Sequence, residues 1–340
     1  MAVSLRDVAA YAGVSVRTVS NVANGFAHVA PGTRQRVQEA IDQLGYRPNA
    51  AARQLRRGST DTVSLVLPEI ASPYFSELAS LMVRIAEERG WTLHIDQTDG
   101  DPQRERQMVS GPLGRSVDGV VCSPVAISPL RLGELSTGPL VLLGERGETG
   151  TLDHVAIDNV AAARLATTHL IESGRRDIAA IGAQPQLAND TARLRLRGYQ
   201  AALAAAGWPA AEELVQPVTT FHRPDGAAAM ARLLSSGRRL DAVFCFTDEL
   251  ALGAMRTLGE HGLRVPEDVA VVGFDDIEDG RFSLPSLTTI APDKHQIARM
   301  ALECLADRIA DPDAVGVDLV AGHRLVVRES SARCSVVDRS

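Results

Sequence analysis

Apolar residues recur in two rhythms along the chain. Near the N-terminus the rhythm is helical. Leu5, Val8 and Ala9 share one face of a first helix, and Val16, Val19 and Val22 or Ala23 share one face of a second. Gly13 between them suits the left-handed backbone of a tight turn, and Ser15 suits the N-cap that follows. The small Ala9 lets the helices cross closely, while Val14 and Val19 fill the angle. The pattern predicts a helix-turn-helix over residues 5–24. A third helix over 33–44 turns Val37, Ile41 and Leu44 inward behind Pro31-Gly32.

Beyond Thr62 the rhythm changes to short β-rich runs alternating with longer helical ones. Strands are expected at 63–67, 92–96, 119–122, 140–143, 155–157, 178–181, 242–246, 269–272 and 288–290. Helices are expected at 75–89, 159–173, 191–206, 226–234, 250–261 and 295–309. Continuous apolar strands with helices between them predict parallel sheets covered on both faces. So long an α/β region exceeds one comfortable core, so two doubly wound lobes are expected.

The two regions are joined by YRPNAAARQLRRGST, residues 46–60. Pro48 keeps Arg47 extended, Asn49 can cap a helix over 50–57, and Gly58 can end it. Such a helix is shorter than the roughly 12–15 residues that an isolated helix needs in water. The stretch therefore reads either as a linker with a helical turn or as a helix that forms only with help, a candidate switch.

Charge sharpens this division. Residues 1–60 hold eight arginines against three acids, a net +5, which leaves −12 for the rest of a chain whose total is −7. A basic head on an acidic body points to nucleic acid. Aromatic content is only 4%, so the cores should be aliphatic. No run approaches the length of a membrane span, and Arg6 and Asp7 interrupt any signal peptide. Cys122, Cys245, Cys304 and Cys334 are far apart, with neither a CxxC pair nor a histidine at metal spacing. The profile is cytoplasmic, with no cofactor or metal expected. Phosphate-binding, dinucleotide, serine-hydrolase and zinc-protease motifs are all missing. The pair Asp275-Asp276 at a strand end can bind a metal, act as a base or bind a ligand. Strand alternation would admit only one of the two to a cleft.

The order of these motifs is similar to the LacI/GalR family of regulators. Within residues 3–60, DVAAYAGVSVRTVSNVANG and YRPNAAARQL carry the resemblance. It continues through SPYF at 72–75, TARLRLRGY at 191–199, FTDELALGAMR at 246–256 and VAVVGFDD at 269–276. The resemblance implies a helix-turn-helix head (1–46), a hinge helix and linker (47–60) and an effector-binding and dimerisation region (61–340) of the periplasmic-binding-protein type I fold. It implies crossovers near 158–163, 288–292 and 320–324. The first lobe would comprise about 61–160 and 291–322, and the second about 161–290 and 323–330.

Chemistry follows from the same residues. On the second helix Arg17 can bond guanine O6 and N7, Asn21 can address adenine or a phosphate, and Val16 can touch a thymine methyl. These three match the family's base-reading positions. Ser15, Thr18, Asn24 and Arg34 suit phosphates. The resemblance makes Leu55 a wedge that enters the minor groove and Ala52 the small residue that lets paired hinge helices approach it. It also implies a homodimer on a pseudo-palindromic operator. The tail after Glu329 is too short for the leucine-heptad tetramerisation segment found in the family.

An effector site is expected between the lobes, at the carboxyl ends of the strands. Tyr74, Phe75, Arg195 and Asp275 match the family's ligand contacts. Thr247, Asp248, Phe221, Glu145 and Arg146 are further candidates at strand ends or loops. Thr247 stands where many relatives have asparagine, which changes the hydrogen bonds available there. Aromatic faces with Arg and Asp fit a saccharide first and a nucleobase second. A repressor controlled by such a ligand is the reading that joins all these features. Its rivals are a solute-binding module without regulation and a sugar or nucleoside enzyme with Asp275 as base.

Overall fold

The structure is a computed structural model and describes residues 3–23, 26, 28–46, 59–110, 116–144, 152–185 and 190–332. The hinge stretch, including Ala52 and Leu55, lies outside the described residues, as do Asn24, Glu145, Arg146 and Cys334. The chain divides into two compact units, Met1–Thr60 and Asp61–Ser340.

In the first unit, α1 (Leu5–Ala12) opens with a reciprocal cap. Asp7 N donates to Ser4 Oγ at 3.4 Å, and Ser4 N donates to Asp7 Oδ2 at 2.8 Å. Ser4 Oγ also donates to Asp7 Oδ2 at 2.7 Å, and that bond, with the one from Ser4 N, holds the Asp7 carboxyl below its ordinary pKa. Gly13, at φ 64°, ends α1 in the left-handed conformation expected of it. Ser15 starts α2 (Val16–Ala23), its Oγ accepting from Thr18 N at 3.1 Å. With Pro31 at its first turn, α3 (Pro31–Leu44) begins two residues earlier than the apolar pattern suggests. Val8, Val19 and Val37 are fully buried where the three helices meet.

The second unit contains two six-stranded sheets. The first is fed by β1 (Thr62–Leu67), α4 (Pro73–Glu88), β2 (Thr92–Gln97), α5 (Pro102–Ser110), β3 (Gly119–Cys122), α6 (Pro129–Leu135), β4 (Leu140–Leu143) and β5 (Asp153–Ile157). The second is fed by α7 (Asn159–Glu172), β6 (Ile178–Ala183), α8 (Thr191–Ala205), β7 (Val215–Pro217), α9 (Arg223–Ser235), β8 (Ala242–Cys245), α10 (Asp248–Glu260), β9 (Ala270–Phe274), α11 (Glu278–Phe282) and β10 (Thr288–Pro292). The chain then returns through α12 (Lys294–Ala310) and β11 (Asp318–Ala321) to the first lobe, and ends in the second sheet with β12 (His323–Val326). The strand orders are β11-β5-β4-β3-β1-β2 and β12-β10-β9-β8-β6-β7.

Pairing is parallel throughout except for β12, which runs antiparallel on β10 with Ile290 opposite Leu325. Gly322 alone separates β11 from β12, so no helix intervenes to restore the parallel direction. The chain crosses between lobes at Asp158, Asp293 and Gly322. The first two crossings are built alike. Asp158 (φ −76°, ψ 86°) and Asp293 (φ −76°, ψ 81°) each leave a strand and cap the next helix with the side chain.

Both sheets are covered on both faces, as the apolar runs require. In the first lobe Val63, Leu65 and Leu67 pack on the side of α4 and α12, while Val66, Val120 and Leu142 pack on the other side with Val109 and Leu132. In the second, Phe244, Phe246, Phe274 and Tyr199 fill an otherwise aliphatic core. Gly253 and Gly226 let α10 and α9 touch backbone to backbone: a Cβ on Gly253 would lie 2.0 Å from Arg223 O, and one on Gly226 would lie 2.2 Å from Leu250 O. Three strands (β7, β11 and β12) and three helices (α5, α6 and α11) are not in the sequence expectation. All are short or half-exposed, so their periodicity is weak. Among the described residues no helix is long and apolar enough to cross a membrane, and no cluster of His, Cys, Asp or Glu could hold a metal ion.

Candidate DNA-reading helix and effector cleft

On α2 the side chains of Val16 and Arg17 are exposed, whereas Thr18 and Asn21 are half-buried on the flank. Val19 and Val22 anchor the opposite face. The helix therefore presents a guanidinium and a valyl group outward on a rigid three-helix base. The hydroxyls of Ser15 and Thr18 lie 2.9 Å apart within the helix cap, so the cap itself orders both groups assigned to phosphates. Arg34 is half-buried and donates to the Phe26 carbonyl, so it also orders the stretch before α3.

In the second unit a cavity of about 570 Å³ opens between the lobes, at the carboxyl ends of their strands. Tyr74 and Phe75 sit in the first turn of α4, because Pro73 starts that helix directly behind the β1 loop. Their rings meet edge to face, 5.3 Å apart at an interplanar angle of 73°. Phe221 faces the cavity from the second lobe. Its loop is pinned by Asp225, which accepts from Thr219 N and Thr220 N at 3.3 Å each and from Thr220 Oγ1 at 2.7 Å. Burial raises the Asp225 pKa, but those bonds outweigh it and leave the carboxyl below its ordinary value.

Arg195 is the cation of the floor. Its face on α8 is buried together with Ala192, Tyr199 and Ala202. The guanidinium stacks 3.5 Å from the Phe274 ring centroid, donates from Nε to Asn159 Oδ1 at 2.9 Å, and donates from Nη1 to Phe246 O. Its Nη2 lies 3.9 Å from Asp275 Oδ1. Asn159 thus fixes the arginine that the sequence singles out.

Asp275 lines the cavity, and Asp276 turns away to Arg328 (2.5 Å) and Arg281 (3.0 Å). One member of the pair enters the cleft, as expected, but strand alternation is not the reason. Both lie past the end of β9 with positive φ, 117° and 50°, a strained backbone that aspartate tolerates better than most residues. Burial pushes the Asp275 pKa up to about 8 against the pull of Arg195. For Asp276 burial acts upward too, yet Arg328 and Arg281 hold it below the ordinary value.

Asp248 is a correction. It is fully buried and does not line the cavity. As the first residue of α10 it points under the floor, accepting from Ile277 N at 2.9 Å and Thr289 Oγ1 at 2.6 Å, and so ties α10 to the segment after β9 and to β10. Burial pushes its pKa up to about 6. The next residue, Glu249, is the one that faces the cleft. Thr247 does line the cavity, although its hydroxyl is engaged: it caps α10 by accepting from Leu250 N at 3.2 Å and donates to Phe221 O at 3.4 Å.

Two groups connect the lobes directly. His222 Nε2 lies 3.1 Å from Glu69 Oε2 at the cleft margin. Lys294, on α12 of the first lobe, donates to Glu77 and, at 3.3 Å, to the Asp276 carbonyl of the second.

Known proteins share this architecture. The pattern described as "Bacterial regulatory proteins, lacI family" matches residues 4–49, and that described as "Periplasmic binding protein-like domain" matches residues 167–331. The HTH-type transcriptional repressor PurR of Haemophilus influenzae (strain PittEE) is 36% identical over 315 residues, 91% of this chain and 92% of that protein. This chain belongs to the LacI family. It is a DNA-binding transcriptional repressor of that family, and the relatives named above and below are regulators rather than enzymes. Among solved structures, a complex titled transcriptional regulator CelR-cellobiose is 35% identical with a TM-score of 0.73, covering 96% of this chain and 99% of that one. The Lac repressor dimer bound to operator and the anti-inducer ONPF is 26% identical with a TM-score of 0.85, covering 97% and 99%.

For this LacI-family chain, the cleft residues missing from the sequence expectation include Glu249, His222, Glu69, Asp99, Asn159 and Gln184. The two at 249 and 222 flank expected residues, so the helix start after β8 and the Phe221 loop were visible signals. Asn159 follows the aspartate of the first crossover. Gln184 had no signal beyond its position after a strand.

Proposed function

We propose that this regulator binds a saccharide in the interlobe cleft, and that occupancy sets its affinity for a pseudo-palindromic operator. One observation supports this above the others: the cavity wall is rich in acceptors. Asp275, Glu249, Glu69, Asp99 and the Gln184 carbonyl group border it, against one buried guanidinium, Arg195, already bonded to Asn159 and Phe246. Such a wall selects a neutral ligand with many donors and disfavours an anion. Aromatic faces at Tyr74, Phe75 and Phe221 add apolar contact of the kind sugar rings use, and a cellobiose complex stands among the structural neighbours. A nucleobase is the second reading. The same three rings could stack a planar base, and the relatives are named as PurR repressors.

In the head, Arg17, Asn21 and Val16 read base edges, and Ser15, Thr18, Asn24 and Arg34 position the backbone. The hinge supplies Ala52 and the Leu55 wedge. A single head with a net charge of +5 would bind weakly and with steep salt dependence, so a homodimer with two heads is the working form. Titration calorimetry with glucose, galactose and cellobiose in one arm and hypoxanthine and guanine in the other separates the two readings. Each hit is retested for its effect on operator binding. Binding in the nucleobase arm alone would overturn the saccharide assignment.

A further inference from the structure

Strand β6 does not run straight into the cleft. Its register on β7 shifts between Ile181 and Ala183, and Gly182 at that point has φ 133°. A Cβ at Gly182 would lie 2.5 Å from the Cβ of Phe246 and 2.6–2.7 Å from its ring, so only glycine allows the irregularity. The bend delivers Gln184 to the cavity wall, where the residue is only 8% exposed. Its Nε2 donates to the Thr219 carbonyl at 3.1 Å. A carbonyl partner accepts only from the NH2 end of an amide, so this bond fixes which end is oxygen. That oxygen, Oε1, is buried and has no hydrogen-bond partner among the described residues. A buried amide oxygen left in this state is destabilising, and its position on a ligand cavity gives it a use.

We propose that Gln184 selects the ligand: its Oε1 accepts from one O–H or N–H donor of the bound molecule. Ligands that lack a donor at that point leave the oxygen unpaired and bind more weakly. The inference rests on the reading of the cleft as a small-molecule site, and it adds a requirement that the other acceptors do not impose. Asp275 and Glu249 can change protonation state to suit what approaches. A primary amide held by Thr219 cannot, so its oxygen always demands a donor.

The test uses the full chain and titration calorimetry against glucose, galactose and cellobiose, with hypoxanthine and guanine as the second arm. Whichever compound binds is compared with its analogues lacking one donor each, monodeoxy sugars or N-methylated bases, on the wild type and on Gln184→Leu. Gln184→Met, closer in shape, serves as the second variant, and the thermal midpoint of each without ligand registers the separate effect of losing the Thr219 bond. The expected result is that a single analogue binds the wild type about tenfold more weakly, the worth of one hydrogen bond. Both variants should lose about tenfold for the parent compound and nothing further for that analogue. A purely structural role would penalise parent and analogues alike, and that result would overturn the assignment while leaving the cleft reading intact. If no compound of either arm bound the wild type, the cleft reading would fail and this inference with it.

Discussion

Replacing Glu105 by glutamine should destabilise the second unit although the side chain keeps its shape. Glu105 on α5 is fully buried, and its carboxylate accepts from three backbone N–H groups: Val125 at 2.9 Å and Ala126 at 3.1 Å on one oxygen, Ile127 at 2.9 Å on the other. An amide has one oxygen. Its better orientation keeps Val125 and Ala126 and turns an NH2 toward the Ile127 N–H, leaving two buried donors face to face. That unsatisfied group costs roughly 1–3 kcal/mol. Losing the charge weakens the two surviving bonds by a further ~0.5–1 kcal/mol each, since charge-assisted bonds are about twice as strong as neutral ones. The sum is about 3 kcal/mol, equivalent to about 6–12 °C in thermal midpoint for a unit of this size. Urea denaturation followed by circular dichroism, with calorimetry for the midpoint, measures it. Val125 and Ala126 border the cavity, so ligand affinity should fall along with stability. A loss below about 1 kcal/mol would show that the loop is held by packing alone and refute the reasoning.

Three further perturbations test other levels of the structure. Asp275 titrates near 8 when the cleft is free because burial disfavours its charge; a ligand that donates to the carboxylate should therefore release a proton on binding. Affinity should rise with pH by up to about tenfold per unit below 8 and level off above it, Asp275→Asn should abolish the trend, and a falling affinity over that range would reverse the assigned polarity. Gly253→Ala should cost about 3 kcal/mol, because a Cβ lying 2.0 Å from Arg223 O must push α9 and α10 apart, and the roughly 1 kcal/mol of helix propensity gained does not offset this; an unchanged denaturation midpoint would show that the helices slide freely. Arg17→Ala should lose roughly 1–3 kcal/mol at a single base-pair position in anisotropy titrations of operator variants. An equal loss on random duplex would make Arg17 a phosphate contact.

What the sequence could reveal, and what it could not, divides along a physical line. Periodicity reports which face of an element is buried, so the helix-turn-helix, the two lobes and the strand ends were readable from Val8, Val19 and runs such as Val63–Leu67. It does not report the rotational phase of a helix's first turn, where the side chains that face a cleft are chosen. Thr247, Asp248 and Glu249 illustrate the point. All three are polar and adjacent, and the assignment to Asp248 had no contrary signal. The structure uses the first as a cap and cavity wall, buries the second under Thr289 and the Ile277 N–H, and exposes the third to the cavity. The reason lies in partners far along the chain, at β9 and β10, which no local pattern contains. Asp275 lines the cavity for the opposite reason. It needed only to stand at the end of a buried strand, and the unusual backbone there aims it whatever the strand alternation.

The same distinction explains how the cleft can act on the lobes. Lys294 stands just after the second crossover and holds Glu77 of its own lobe and the Asp276 carbonyl of the other. Asp276 is the neighbour of Asp275, and both depend on the strained turn past β9. A ligand that draws Asp275 toward the charged state therefore acts on a turn whose next carbonyl is already tied to the opposite lobe. The bond joins the lobes beside the crossover at Asp293, where a small rotation changes its length least, so it is suited to serve as a pivot. The His222–Glu69 contact lies at the margin, and the same rotation would break or make it. Coupling of ligand binding to lobe angle would run through this pivot and this latch, and any coupling to the operator is reciprocal: DNA must change ligand affinity by the factor by which ligand changes DNA affinity.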